Sequence, residues 1–263
     1  MVGCIWLIGG TTESQTLASA IASHHLPCIV TVTTEAAKLL YSAIDQTYLK
    51  VRVGKLLPNQ MPKFCQMHQV IVILDASHPY ALEVSQAAIA VSRLANIPYL
   101  RYERPNIISA SPQIIQLDSF NTLLTGQYLV GQRVLLTVGS QILPQFINWQ
   151  TRAILFTRIL PTLEALQIAL ESGFTSERIL ALRPPVGKQL ELALWQKWRI
   201  NLVVTKASGR VGGEATKREV AHQLNIPLIV IERPKLAYPQ LTDDIQVATN
   251  FCLQHLPKRA SYS

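Results

Sequence analysis

Short apolar runs alternate with helical stretches along most of this 263-residue chain. Each run is three to five residues long and predicts a buried strand. The predicted strands are Ile5–Ile8, Ile29–Thr33, Val70–Leu74, Tyr99–Tyr102, Val134–Thr137, Ile154–Phe156, Ile179–Ala181, Leu202–Thr205 and Leu228–Ile231. Helices are predicted between them at Glu13–Ser23, Tyr80–Leu94, Leu163–Glu171, Gln189–Trp198 and Thr216–Leu224. This alternation predicts an α/β fold with a parallel sheet covered by helices.

A ten-residue segment occurs twice and divides the chain into two similar halves. Both copies, residues 96–105 and 225–234, begin with Asn-Ile-Pro and end with Glu-Arg-Pro, so six of ten positions are identical. We therefore predict two Rossmann-like halves, each with a parallel sheet, and a cleft between them as the default ligand site. The first half is assigned to residues 1–115 for cofactor binding, and the second to 116–263 for the substrate.

The first predicted strand ends at two glycines, and a helix follows. Gly9 and Gly10 permit positive φ and a close backbone approach, and Thr11 or Thr12 is suited to capping the helix. Free N–H groups at a helix start form an anion site that fits a phosphate. We predict that Gly9, Gly10, Thr11, Thr12 and Glu13 bind a cofactor. A strand–turn–helix corner without a ligand is the alternative, because the third glycine of the usual dinucleotide motif is missing.

The second predicted strand ends in hydroxyl residues. Folds that bind NAD usually have an acidic residue here, which holds the ribose hydroxyls. Thr33 and Thr34 come first in this chain and tolerate a 2′-phosphate, and Arg52 and Lys55 add positive charge. This pattern favours NADPH, with both threonines in the cofactor site, while Glu35 leaves NADH open.

Polar residues also follow the third predicted strand. Asp75 and Ser77 lie at its carboxyl end, where binding residues gather. Ser77 and Pro79 also suit the start of the next helix. His78 is suited to donating a proton, since an ordinary imidazole pKa is about 6.5; a hydrogen-bonded loop histidine is the alternative.

A glycine-rich loop with cations follows the strand that ends near Thr205. Glycines at 209, 212 and 213 precede a helix start, and Lys206, Arg210 and Lys217 are close in sequence. We predict that Lys206, Ser208, Gly209, Arg210 and Lys217 bind anionic groups of the substrate. A flexible turn with solvated charges is the alternative.

The composition restricts the partners and the compartment. The net charge of +8 suits a polyanion, but the cations are scattered and not interleaved with aromatic residues, which argues against nucleic acid. No apolar run is long enough to cross a membrane, and no signal peptide is evident, so we expect a cytoplasmic protein without a membrane partner. The cysteines Cys4, Cys28, Cys65 and Cys252 form no C-x-x-C pair, and no metal site is predicted.

Four segments resemble the motifs of precorrin-6A reductases, in the family's order. Gly9–Glu13 is similar to their Gly-Gly-Thr-Thr-Glu start, and Asp75–Ala81 to their most specific motif, Asp-Ala-Thr/Ser-His-Pro-Phe/Tyr-Ala. Arg101–Pro105 is similar to the segment that closes their first half, and Thr205–Gly209 to their Thr-Lys-x-Ser-Gly loop. The chain departs from the family at Arg183–Val186, where Gly-Pro-Phe is usual, and again at positions 207 and 210.

The resemblance implies a reductase of the cobalamin pathway. Such an enzyme uses NADPH, or NADH, to saturate one double bond of precorrin-6A or its cobalt form, which gives precorrin-6B. The substrate is a polyanionic tetrapyrrole, so the cations of the last loop are expected to hold its carboxylates. The candidate catalytic residues are His78, Tyr80 and Asp75, with Ser77 beside the cofactor. The sequence leaves the proton donor open among His78, Tyr80 and water, and it leaves the oligomeric state open.

Two other functions agree with two Rossmann-like halves. One is a non-catalytic two-lobed binding protein, and the other is a nucleotide-sugar transferase. A reductase would oxidise the reduced nicotinamide cofactor when the tetrapyrrole is added. Neither the binding protein nor the transferase would do so.

Overall fold

A computed structural model describes residues 3–107, 111–209 and 212–255 of the chain. Its strands are β1 Cys4–Ile8, β2 Cys28–Val32, β3 Leu49–Val53, β4 Val70–Asp75, β5 Tyr99–Tyr102, β6 Ile114–Leu117, β7 Arg133–Thr137, β8 Ile154–Ile159, β9 Ile179–Ala181, β10 Leu202–Lys206, β11 Leu228–Ile231 and β12 Leu241–Thr242. Its α-helices are α1 Thr12–Ser23, α2 Glu35–Lys38, α3 Met61–Met67, α4 Leu82–Ala95, α5 Phe120–Thr125, α6 Leu163–Glu171, α7 Lys188–Lys197, α8 Glu214–Leu224 and α9 Ile245–Gln254. Short 3₁₀ helices occur at Leu39–Tyr41, Pro58–Gln60 and Ser176–Arg178, and a longer one at Ser140–Trp149.

The strands form two parallel six-stranded sheets. The first has the order β12-β5-β4-β1-β2-β3, and the second has the order β6-β11-β10-β7-β8-β9. The first order is that of a dinucleotide-binding Rossmann sheet, in which the connections reverse direction between the first and fourth strands. In the second sheet the strands β7 to β11 follow the same order, and β6, which precedes them in the chain, takes the edge position. The predicted α/β fold with two Rossmann-like halves is confirmed.

Both faces of the first sheet are buried, which explains the unbroken apolar run of β1. Ile5 and Leu7 belong to a core cluster with residues of α1 and α9. Trp6 and Ile8 point to the opposite face and pack with residues of α3 and α4. Because successive side chains of a strand alternate between faces, a strand covered on both sides has no face that favours polar residues and is mostly apolar.

The repeated segment forms the same structure in both halves. Asn96 and Asn225 end α4 and α8 in the left-handed conformation, with φ of 52° and 53°. Asparagine tolerates this conformation better than most residues, so it suits the end of a helix. The next residues enter β5 and β11, which pair with β4 and β10 in equivalent registers.

The chain crosses between two compact units at the ends of these repeats. One unit contains the chain up to Pro105 and from Lys235 onward, and the other is Asn106–Pro234. After each crossing, the chain adds the edge strand of the sheet it enters: β6 pairs with β11, and β12 pairs with β5. The predicted division at residue 115 therefore needs correction, because β12 and α9 complete the first unit.

The predicted elements are all present, and the structure adds helices α2, α3, α5 and α9 and three edge strands that were not predicted. The edge strands β3, β6 and β12 were not predicted: β3 alternates apolar with charged residues, Gln116 interrupts the apolar run of β6, and β12 has only two residues. Helix α4 begins at Leu82, two residues later than predicted, and its cap position is Ala81. Ser77 and Pro79 therefore precede the helix and belong to the loop after β4.

Candidate functional site

Gly9 and Gly10 serve different purposes in the turn after β1. A Cβ atom on Gly9 would lie 2.4 Å from Tyr41 Oη and 2.7 Å from a methyl group of Val30, so only glycine fits the packing. Gly10 has a φ of +100°, and a Cβ atom there would meet no atom within 4 Å. Gly10 therefore leaves open space next to the backbone, as expected where a ligand approaches closely.

Tyr41 is buried beneath this turn and was not predicted to take part. Its hydroxyl accepts a hydrogen bond from the Gly10 N–H at 2.9 Å and lies 2.6 Å from Ser14 Oγ. The Gly9 N–H donates to the Thr31 carbonyl. Two of the N–H groups predicted to bind phosphate are thus used within the protein.

Helix α1 begins with a capping arrangement. Thr11 is the N-cap: its Oγ1 accepts from the Ser14 N–H, and its own N–H donates to Ser14 Oγ at 3.0 Å. Thr11 Oγ1 also donates to the Ala76 carbonyl, which ties the turn to the loop after β4. Among the described residues, no partner is found for the N–H groups of Thr12 and Glu13. These two groups are what remains of the predicted anion site.

Residues at the end of β2 have separate local roles. Thr34 caps α2 by accepting from the Ala37 N–H, and Arg52 donates to the Gly54 carbonyl. Thr33 and Glu35 are exposed. Both side chains at the usual ribose position thus face solvent, and the choice between NADPH and NADH stays a prediction.

Asp75 is fully buried and hydrogen-bonded on both oxygens. Its Oδ1 accepts from the Ser77 N–H at 3.0 Å and from Arg101 Nη1 at 2.8 Å. Its Oδ2 accepts from Ser85 Oγ at 2.6 Å and Tyr99 Oη at 2.7 Å. Four donors fill the lone-pair sites of a carboxylate. Both oxygens of Asp75 are thus used within the protein, and its catalytic role stays a prediction.

Arg101 forms a buried ion pair with Asp75, and the sequence analysis gave it no role. It is fully buried, its Nη1 also donates to Ser77 Oγ at 2.9 Å, and its Nε donates to Glu103 Oε2 at 3.2 Å. The guanidinium lies 5.3 Å from the Tyr238 ring centre. The repeat could have drawn attention to Arg101. The equivalent residue of the second copy is Val230, so an arginine at this place in a buried strand is unusual.

His78 and Tyr80 lie in the same loop with accessible side chains. His78 is exposed, and its Nδ1 accepts from the Tyr80 N–H at 3.3 Å. In the neutral ring this leaves the proton on Nε2. The His78 and Tyr80 rings are 5.8 Å apart, and Tyr80 is half-buried. Both remain candidates for proton donation.

The loops after β1, β4 and β5 line one depression in the first unit. Its walls include Thr11 and Glu13, Ser77, and Arg101 with Arg104. Arg104 Nη1 lies 2.8 Å from Glu13 Oε1, and both side chains are largely buried. The depression lies at the carboxyl ends of the strands, where the sheet changes direction, which is the usual ligand position in this fold.

In the second unit, hydrogen bonds to buried charged side chains stabilise the glycine-rich loop after β10. The Gly209 N–H donates to Glu214 Oε2 at 2.8 Å, while Glu214 Oε1 pairs with Arg218. Ser208 Oγ donates to the Gly212 carbonyl at 3.1 Å. The polar groups of Ser208 and Gly209 thus stabilise the loop itself, and their contact with substrate stays a prediction.

The cations predicted around this loop differ in position. Lys206 is half-buried at the end of β10, 5.7 Å from the Phe120 ring centre, and burial lowers its pKa. Lys217 is buried, and its Nζ donates to the carbonyls of Gly212 and Gly213. Its ammonium group therefore holds the carbonyls of the loop itself, and its contact with substrate stays a prediction. Arg210 lies outside the described residues.

Lys217 gives a pH-dependent prediction. Burial, and to a smaller extent the charge of Arg158, lower the pKa of Lys217 from 10.5 to about 8. The charges of Glu191 and Glu214 act in the opposite direction and raise it. The folded protein therefore releases this proton at lower pH than the unfolded chain, so the folded state becomes more stable as the pH rises from about 8 to 10.5. Over this range the wild type should gain up to about 3 kcal/mol relative to Lys217→Met.

Urea unfolding at several pH values checks this difference. Lys188→Met, at a partly exposed lysine, is the control and should follow the wild type. Parallel curves for the wild type and Lys217→Met would contradict the prediction.

The described residues contain no helix long and apolar enough to span a bilayer. They also contain no group of three or more His, Cys, Asp or Glu side chains placed to hold a metal ion.

Known proteins resemble this chain over nearly its full length. The family described as "Precorrin-6x reductase CbiJ/CobK" matches residues 4–253. A cobalt-precorrin-6A reductase of Synechocystis sp. is 46% identical over 256 residues, which covers 96% of this chain and 97% of the relative. The Salmonella typhimurium cobalt-precorrin-6A reductase is 32% identical, with 92% and 90% covered.

A solved structure shares the fold. "CobK precorrin-6A reductase" superposes with a TM-score of 0.79 at 20% identity, covering 96% of this chain and 97% of that one. The Rossmann-like sheets, the motif order and the sequence matches agree with one another. The chain therefore belongs to the precorrin-6x reductase family and is an oxidoreductase of cobalamin biosynthesis.

Proposed function

We propose that this protein reduces precorrin-6A or cobalt-precorrin-6A to the corresponding precorrin-6B, with NADPH as the hydride donor. The observation that carries this is the depression at the carboxyl end of a Rossmann sheet, in a member of a reductase family. The Synechocystis and Salmonella relatives are both named cobalt-precorrin-6A reductases, which favours the cobalt form. A cytoplasmic location agrees with the four free cysteines, which are typical of a reducing compartment.

The first unit fits a dinucleotide in three respects. Gly10 leaves open space where a phosphate would approach. The N–H groups of Thr12 and Glu13 have no partner among the described residues and begin a twelve-residue helix. Thr33 lies at the end of β2, exposed at the usual ribose position. When bound, NADPH would supply a hydride.

The remaining roles belong to this chain's own side chains. We propose that His78, as the imidazolium, delivers the proton that accompanies the hydride and becomes neutral, with Tyr80 Oη as the second candidate. Asp75 positions the Ser77 N–H and Arg101 beneath this loop. In the second unit, Lys206 is the cation best placed for a substrate carboxylate, because it is half-buried at a strand end.

Turnover with both substrate forms tests this function. The purified protein, with NADPH and either precorrin-6A or its cobalt form, should oxidise one equivalent of NADPH and give a product two hydrogen atoms heavier. NADH in the same assay tests the cofactor preference. Tight tetrapyrrole binding without NADPH oxidation would overturn the proposal.

Substituting the proton donor adds a second measurement. His78→Gln should lower kcat by about 10²-fold with little change in the NADPH Kd, a typical loss for a general acid. Tyr80→Phe is the matched comparison. If His78→Gln turns over at the wild-type rate and Tyr80→Phe is slow, Tyr80 takes the role; if neither changes, water does.

A further inference from the structure

We propose that the Ser77 hydroxyl donates a hydrogen bond to the carboxamide of the nicotinamide ring, and that Arg101 makes this hydroxyl a donor. The inference rests on the proposed function, because it needs a nicotinamide cofactor, and it names the side chain that recognises the ring. Ser77 lines the depression of the first unit and would contact the cofactor directly. Arg101 acts through Ser77 and is a positioning residue.

The bond between Arg101 and Ser77 determines how the hydroxyl can be used. Arg101 Nη1 donates to Ser77 Oγ at 2.9 Å. A guanidinium group has donors only and stays protonated in proteins, so the Ser77 oxygen is the acceptor in this bond. The hydroxyl hydrogen of Ser77 therefore points away from Arg101 and needs an acceptor elsewhere.

The described part of the chain offers that hydrogen no acceptor at a normal distance. Among the described residues, the acceptor within reach is Ser85 Oγ at 3.5 Å, whereas O–H···O bonds are usually about 2.5–3.0 Å long. Ser77 is only 6% exposed, and a buried polar group without a partner is costly. Since Ser77 lines the depression, its hydrogen is available to a ligand there.

The loop that carries Ser77 is held in place by its own hydrogen bonds. The Ser77 N–H donates to Asp75 Oδ1 at 3.0 Å. The Ala76 N–H donates to the Ile8 carbonyl, and the Ala76 carbonyl accepts from Thr11 Oγ1 at 2.9 Å. A donor that is already fixed loses little conformational freedom when a ligand binds, so its hydrogen bond contributes more fully to affinity.

The sheet order indicates which part of the cofactor reaches Ser77. The pyrophosphate of a bound dinucleotide lies at the start of the first helix, and the adenosine ribose lies at the end of the second strand. The nicotinamide half then extends to the other side of β1, toward β4 and β5. Ser77 lies on that side, two residues after the end of β4.

The chemistry of the nicotinamide ring matches a hydrogen-bond donor at this place. The carboxamide is the polar substituent of the ring, and its carbonyl oxygen accepts hydrogen bonds as that of an asparagine side chain does. A bond to this oxygen limits the rotation of the ring about its link to the ribose and so favours one face of the ring toward the substrate. The adjoining ribose also carries acceptor oxygens, so the experiment has to separate the ring from the ribose.

Two ligands make this separation. NADPH has the ring, whereas 2′-phospho-ADP-ribose keeps both riboses and every phosphate but lacks the ring. In Ser77→Ala, the Kd for NADPH should rise about tenfold, a typical effect of losing one hydrogen bond to a buried group, while the Kd for 2′-phospho-ADP-ribose stays unchanged. Ser77→Thr keeps the hydroxyl and should bind both ligands like the wild type. Calorimetric titration of the whole protein without substrate measures all these values.

Ser85→Ala is the matched control, because Ser85 belongs to the same hydrogen-bond network but does not line the depression. Its Oγ donates to Asp75 Oδ2 at 2.6 Å, and the residue is 1% exposed. This variant should leave the ratio of the two Kd values as in the wild type. A ratio that changes as much as in Ser77→Ala would show that disturbing the network causes the effect. Equal losses for both ligands in Ser77→Ala would place the contact on the ribose, and either result would overturn the inference.

A measurement on the wild type applies even if Ser77→Ala does not fold. The thionicotinamide analogue of NADPH carries sulfur, a weaker hydrogen-bond acceptor, in place of the carboxamide oxygen. It should bind about fivefold more weakly than NADPH, and equal affinities would overturn the inference. Failure of the wild type to bind NADPH would instead overturn the proposed function.

Discussion

Asp75→Ala is expected to lower the free energy of unfolding by about 3–5 kcal/mol, the usual cost of removing one partner of a buried ion pair. The carboxylate accepts four hydrogen bonds with no exposed surface. Its removal leaves the Arg101 guanidinium buried with Glu103 as its remaining carboxylate. Folded domains are stable by only about 5–15 kcal/mol, so the first unit should unfold at much lower urea concentration.

Two further variants show whether the loss of stability comes from the buried ion pair or from removing any carboxylate. Tyr99→Phe removes one of the four donors and should cost about 1 kcal/mol. Asp45→Ala removes an exposed aspartate of the same unit and should unfold close to the wild type. Urea unfolding followed by circular dichroism measures all three. A wild-type midpoint for Asp75→Ala would show that the carboxylate is not needed to hold Arg101.

Gly10→Val is expected to raise the Kd for NADPH about 100-fold. The valine side chain would fill the open space beside the turn and keep a phosphate from the N–H groups of Thr12 and Glu13. Two hydrogen bonds to a charged group contribute about 3 kcal/mol together, which corresponds to about 100-fold in Kd. Fluorescence titration with NADPH measures the change.

The second unit provides the matched control. Gly139 follows β7 as Gly10 follows β1, with a φ of +84°, and a Cβ atom there would meet no atom within 4 Å. Gly139→Val should therefore suffer similar backbone strain, about 1–2 kcal/mol, without weakening NADPH binding. Equal losses of affinity in both variants would show that strain, and not access to the turn after β1, causes the effect.

Local sequence patterns determined much of this fold. Apolar runs bounded by glycine and proline located the central strands, because a strand covered on both faces is mostly apolar. The two Asn-Ile-Pro segments revealed the second Rossmann unit, because both require a helix end followed by a strand. The motifs from Gly9 to Gly209 indicated the family, which the matches over residues 4–253 confirmed.

The partners of the polar residues could not be predicted. Asp75 meets Arg101 because they are opposite each other in the register of β4 and β5, 26 residues apart in sequence. Tyr41 reaches Gly10 from 31 residues away. Lys217 looks like a free cation in the sequence, but α8 places it beneath the glycine loop.

The sequence by itself therefore determined the central strands, the presence of two Rossmann-like halves and the family, since these depend on residues near each other in the chain. Only the tertiary structure decided which N–H groups remain for a ligand, which acid is buried, and that β12 and α9 return to the first unit. The physical reason is that burial and pairing arise when distant segments pack together, and the spacing of residues along one segment does not specify its neighbours.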